Sequence, residues 1–146
     1  MQKSPNKTKV VIDTNILLSA AIKPNSTAAK ALYKAVTECD IFISQATFGE
    51  LAEVIQRNKF DPYFTNTEYT RLEFLTRFFA LCIQVPITHP ITDCIDPKDN
   101  KFLEVAIASG ASILVSGDKK HLLSMNPYHG VQIITAAAFL AESATS

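Results

Sequence analysis

An excess of charge of either sign is missing from this chain. Fourteen Lys and Arg stand against 14 Asp and Glu, for a formal net charge of +0. No overall basic field therefore draws it to nucleic acid, although acids in a site can offset basic residues on its rim. Cysteine is scarce as well. Cys39, Cys82 and Cys94 are odd in number and show no C-x-x-C spacing. This argues against a disulfide frame or a cysteine zinc site and for reduced, mostly buried thiols. Long apolar runs are also lacking: residues 16–22 are far too few to span a bilayer, and residues 1–8 are polar and Lys-containing, unlike a signal peptide. A soluble, cytoplasmic protein with no membrane partner is expected. No G-x-S-x-G elbow, no cysteine near a plausible base and no G-x-x-x-x-G-K-[ST] loop occurs. Side-chain nucleophilic catalysis and P-loop chemistry are disfavoured accordingly.

What is present suits one globular domain: 146 residues, 47% hydrophobic and 19% charged. Short β-branched runs at residues 9–13, 40–44, 82–85, 112–116 and 131–134 alternate with helical periods. That pattern predicts an α/β domain built of βαβ units around a parallel sheet. The strands are apolar on both faces, so the sheet should be covered on both sides. Residues 15–22 are hydrophobic all round and should pack deeply. Ser26 is placed to cap the following helix, which ends near Cys39, and Ser44 to start one bearing Phe48, Leu51, Ala52 and Ile55. Residues 59–66 read as irregular, Thr67 as the cap of a long helix, residues 85–95 as a second loop, and Gly110 as a helix terminator.

Five acids stand where these strands end. Asp13 closes Lys9-Val10-Val11-Ile12, Glu50 lies in the helix after the second strand, and Asp96 and Asp99 open the helix before the fourth strand. Asp118 follows Ile113-Leu114-Val115-Ser116-Gly117. Each has a plain structural alternative. Asp13 can be a helix cap, Asp96-Pro97-Lys98-Asp99 is a good helix start by itself, and Asp118 can belong to a turn. Glu50 flanks an apolar stripe while Glu53 points further out. Asp99 lies three, four and seven residues before Phe102, Leu103 and Ala106, so it shares their inward face, which capping does not require. Ligands bind at the carboxyl ends of strands in open parallel sheets, and a cluster of like charges there needs cations or protons. Bare carboxylates select hard ions, Mg²⁺ or Mn²⁺, and such sites serve phosphodiester chemistry. His89, His121 and His129 lack ligand spacing and are expected on the surface. Thr14 and Asn15 are expected to support the site rather than to bind the ion.

The chain resembles the PIN domain (PilT N-terminus) family, in particular the toxins of toxin–antitoxin pairs, from Lys9 to about Glu142. The likeness rests on Val10-Val11-Ile12-Asp13-Thr14-Asn15, on Glu50 after the second strand, on Asp99 with Phe102, Leu103 and Ala106, and on Leu114-Val115-Ser116-Gly117-Asp118. One departure is Ser116-Gly117, where many relatives carry Thr and a larger residue. The resemblance implies a three-layer α/β/α sandwich with a central parallel sheet of four to five strands over residues 9–142. It leaves 1–8 as a flexible segment and 143–146 as a tail. It also implies a metal-dependent endoribonuclease using Mg²⁺ or Mn²⁺, a cognate antitoxin, and a homodimer or higher oligomer. Asp13, Glu50, Asp99 and Asp118 would be catalytic and hold the metal, with Asp96 an added ligand, while Asn15 and Ser116 orient them by hydrogen bonds. Lys101, Lys119 and Lys120, with Lys23, Arg57 and Lys59, are candidates for RNA phosphate contacts, and single-stranded or looped RNA would best reach a recessed pocket. A catalytically silent PIN-like module that binds RNA or protein is the alternative. Receiver-type and haloacid-dehalogenase patterns fit less well: Asp13 stands alone after the first strand, and position 15 is Asn.

Overall fold

Alternation along each strand divides the hydrophobic residues between two cores. Val10 and Ile12 of β1 (Thr8–Ile12), Ile41 and Ile43 of β2 (Cys39–Ile43), and Ile113 and Val115 of β4 (Ile113–Val115) enter one core. Their neighbours Val11, Phe42 and Leu114 enter the other. This is the two-residue period of the pleat, with both faces buried. The computed structural model describes residues 7–64 and 70–142. With β3 (Cys82–Gln84) and β5 (Gln132–Ile134), the strands form one fully parallel sheet in the order β3-β2-β1-β4-β5. Val10 pairs with both Ile41 and Ile113, so β1 is the middle of the register.

One core is closed by α1 (Thr14–Ile22), α2 (Thr27–Glu38), α3 (Gln45–Val54), α4 (Arg71–Leu81) and α6 (Ala136–Ala141), which contribute Leu17, Ala31, Leu51, Phe78 and Phe139. The other is closed by α5 (Asn100–Ser109) through Phe102, Leu103, Val105 and Ala106, with Leu122 and the loop residue Cys94 beside them. The result is the three-layer α/β/α sandwich around a five-stranded sheet. Among the described residues, no helix is long and apolar enough to cross a membrane.

Caps decide where the helices begin. The side chains of Asp13, Ser26, Ser44, Thr70 and Thr135 each accept a backbone N–H of the first turn. Ser44 with Thr47 and Thr70 with Glu73 close reciprocal capping boxes. Gly110 ends α5 at φ 72°, in the left-handed region that favours glycine. The expected cap at Thr67 lies outside the described residues, and the described part of α4 starts after Thr70. The stretch read as irregular contains a 3-10 helix at Asn58–Tyr63. Phe60 and Phe64 donate to carbonyls three residues back, a turn too short to show as a 3.6-residue period. Helix α1 is deeply buried only through Leu18. Ser19 to Ile22 are half-buried, because the helix runs off the sheet and packs there on α2.

The chain moves outward from β1 through β2 to β3, then returns to the other flank of β1 for β4 and β5. Strand order thus reverses between β1 and β4, and the crevice at their carboxyl ends is the topological switch point of the sheet. Asp13 and Asp118 follow these two strands.

Phe42, on β2 beside the central strand, is fully buried. Phe42→Ala should lower the unfolding free energy by about 3–5 kcal/mol, the sum of lost transfer energy and an unfilled cavity. Urea denaturation followed by circular dichroism measures it, and an unchanged midpoint would contradict this account of the core.

Candidate metal centre

Asp13 is buried at the end of β1, with 4% exposure. Its Oδ1 accepts the Ile16 N–H at 3.0 Å, which starts α1, and its Oδ2 accepts the Ser116 hydroxyl at 2.5 Å and the Gly117 N–H at 3.3 Å. Burial still pushes its pKa up, against the lowering by Ser116, Ile16 and Gly117, and Asp118 adds repulsion. Ser116 is fully buried, and its hydroxyl oxygen also accepts the Asp118 N–H at 3.0 Å. One serine therefore ties the acid after β1 to the acid after β4.

Asp118 accepts the His121 backbone N–H on Oδ1 at 3.3 Å and faces the His121 Nδ1 with Oδ2 at 3.1 Å. Asp99 Oδ2 lies 3.9 Å from the same ring nitrogen. Although Asp99 stands at the start of α5, its side chain makes no capping bond and is left to face the pocket. Asp96 does cap: its Oδ1 accepts the Lys98 N–H at 3.0 Å, ahead of Pro97 in the first turn. Desolvation, a hydrogen bond to Asp118 and the charges of Asp118, Asp96 and Asp13 push Asp99 up to about 7. Asp118 moves the other way. Burial opposes that, but the bond from Asp99 and those from His121 hold it below the ordinary carboxylate range. The two shifts, in opposite directions, are those of neighbouring acids that share a proton, with Asp99 the one that holds it more tightly.

All five acids line one cavity of about 250 Å³, with Thr14, Asn15, Phe102 and His121. Glu50, from α3, forms an ion pair with Lys101 of α5, both side chains being about three-quarters buried. Lys101, a candidate for phosphate contact, therefore sits on an acid of the pocket. Lys119 and Lys120 are exposed beside Asp118. Thr14 is buried, and its Oγ1 has no hydrogen-bond partner among the described residues, whereas Asn15 is exposed on the cavity wall.

The expectation that all three histidines lie on the surface is corrected for His121. His89 and His129 are exposed, but His121 is half-buried against Asp118. The missed signal was Asp118-x-x-His121, a spacing at which the turn after Asp118 folds back and the His121 N–H reaches the Asp118 carboxylate. Lys98 and Phe60 were also missed. They line a wider groove of about 610 Å³ with Glu53, Arg57, Lys59 and Lys101, and it shares Thr14, Asn15, Glu50, Asp96 and Asp99 with the acid cavity.

The residues present fit a divalent cation. Five carboxylates converge, burial and their crowding raise the Asp99 pKa, and the buried Thr14 hydroxyl lacks, among the described residues, a partner that an ion's water shell would supply. Fold and site together define a parallel α/β/α domain with an acidic pocket at its switch point. The model of the PIN domain family matches residues 9–120, and the chain belongs to that family. An uncharacterized protein of Methanocaldococcus jannaschii, MJ1680, is 35% identical over 114 residues, 77% of this chain and 72% of that protein. Among solved structures, VapBC2 from Rickettsia felis, bound to a DNA fragment from their promoter, shares the fold with a TM-score of 0.58. That match has 15% sequence identity over 88% of this chain and 98% of the other.

The raised pKa of Asp99 has a consequence for stability. Between its ordinary 3.8 and about 7 the folded state holds a proton that the unfolded chain has released. Stability of the metal-free protein should therefore fall as pH rises through that window and level off above it. Asp99→Asn removes the ionisation, so its stability advantage over the parent should widen across the same window. Urea titrations in chelator at stepped pH measure the gap, and a gap that stays constant would show that Asp99 titrates normally.

Proposed function

We propose that the protein is a metal-dependent endoribonuclease that hydrolyses RNA phosphodiester bonds. The observation that carries the reading is the meeting of Asp13, Glu50, Asp96, Asp99 and Asp118 in one cavity at the switch point. PIN domains are generally nucleases, and the acids present are those expected of a hydrolase without a side-chain nucleophile. In this reading Asp13, Glu50, Asp99 and Asp118 hold Mg²⁺ or Mn²⁺, with Asp96 at the edge. A hard dication held there lowers the pKa of water and offsets charge on the phosphate.

The remaining residues orient and guide. Ser116 fixes the carboxylate of Asp13 and the backbone of Asp118, the buried Thr14 hydroxyl would bond the ion's water shell, and the exposed Asn15 amide offers hydrogen bonds to solvent or to a phosphate oxygen. RNA would enter along the adjoining groove, where Lys59 and Lys98, joined by Arg57 and Lys101 once these leave Glu53 and Glu50, supply cations and Phe60 an aromatic face. The Lys59 ammonium lies 5.2 Å from the Phe60 ring centroid, which couples a phosphate contact to a stacking platform. Lys119 and Lys120 would meet the strand on the far side of Asp118. A pocket this recessed suits a single strand or loop. The toxin role, with a cognate antitoxin and a homodimeric toxin, is part of the same reading. Its support is the family and the fold shared with VapBC2.

The second reading, a silent PIN-like module that binds RNA or protein, has one observation in its favour. Lys101 already neutralises Glu50, as an internal cation would in a site that holds no ion.

Purified protein incubated with mixed RNAs and Mg²⁺ or Mn²⁺ separates the two. Cleavage should stop with chelator and fall on the order of a hundredfold or more in both Asp13→Asn and Asp118→Asn. Cleavage that persists in both variants would overturn the assignment, and no cleavage by the parent would favour the silent module. On a short single-stranded substrate, Phe60→Ala should raise KM about tenfold with kcat little changed, as loss of one stacked base costs roughly 1–3 kcal/mol. An unchanged KM, or cleavage confined to duplex RNA, would remove the groove from the substrate path.

A further inference from the structure

We propose that His121 is itself a metal ligand, so that the centre prefers a first-row transition dication such as Mn²⁺ over Mg²⁺. The inference rests on the reading of this pocket as a cation site. A ring nitrogen of His121 and one carboxylate oxygen from each of Asp96 and Asp99 lie within 4.8 Å of one another. Opposite donors around one first-row ion stand about 4 Å apart, so slight closure lets the three share it.

His121 reaches this place by construction. Leu122 is fully buried in the core beneath α5, and the His121 carbonyl accepts the Ser124 hydroxyl at 2.7 Å. The imidazole is thereby presented, half-buried, at the cavity wall. A histidine that served only to orient Asp118 would need its 3.1 Å contact with that carboxylate and nothing more. The approach to Asp96 and Asp99 is additional. A second sign of a ligand is the buried Oγ1 of Thr14, in the lining of the same cavity, which has no partner among the described residues.

Donor chemistry gives the selectivity. Mg²⁺ holds its waters and takes oxygen donors, whereas imidazole suits transition ions. One nitrogen among carboxylates shifts preference toward the latter without excluding the former.

The test uses the metal-stripped full chain, titrated with Mn²⁺ and Mg²⁺ beside His121→Gln and His121→Asp. The spin-echo spectrum of bound Mn²⁺ should carry the signature of a directly bonded nitrogen, absent from both variants. The ratio of Mn²⁺ to Mg²⁺ affinity should fall on the order of tenfold in each. A parent spectrum without that nitrogen overturns the proposal and needs no variant to fold. A ratio unchanged in both variants also overturns it, leaving His121 as a residue that orients Asp118. If neither ion binds the parent, the cation site itself fails, and this inference with it.

Discussion

The Ser116 hydroxyl, shared between Asp13 and the backbone of Asp118, is the contact on which the pocket depends. A buried carboxylate loses several kcal/mol of hydration. Hydrogen bonds to a charged group return roughly 1.5–3 kcal/mol each. Asp13 accepts three, from Ile16, Ser116 and Gly117, and its pKa is still raised. Burial outweighs local hydrogen bonding, so the acid is held in place but left short of positive charge. Because β1 and β4 are neighbours across the switch point, the same serine also sets where Asp118 begins.

The rest of the pocket shows three substitutes for that missing charge. Asp99 and Asp118, whose pKa values are driven in opposite directions, share a proton between them. Lys101 of α5 crosses to Glu50 of α3 and forms an ion pair with it. The His121 ring sits against Asp118 and near Asp99. Each answers like-charge repulsion locally, and each involves a group that a divalent ion would displace or recruit. The convergence of the acids and the means of tolerating it are thus one design, carried by elements far apart in the chain.

Much of the frame was legible from residue order. The five strands fall within a residue or two of their expected places, because β-branched runs apolar on both faces leave few other choices. Ser26, Ser44 and Gly110 act at the helix ends where their chemistry put them. Asp96 caps its helix through Oδ1, as Asp96-Pro97 implied, and its place in the cavity lining comes from the fold. The 3-10 helix at Asn58–Tyr63 was not legible, since a short turn containing Pro62 has no hydrophobic period. Phe60 and Lys98 were overlooked for a related reason: only the groove beside α3 makes neighbours of residues that look like ordinary surface.

By itself the sequence determined what is local: which runs form strands, where helices start and stop, and that acids follow the strand ends. These depend on side-chain periodicity and on hydrogen bonds spanning a few residues. Tertiary structure alone decided which acids meet and that Lys101 closes on Glu50. Those facts follow from strand order and from the packing of α3 and α5 across the crevice. Contacts separated by fifty or a hundred residues leave no period in the chain; they exist only once the sheet has chosen its neighbours.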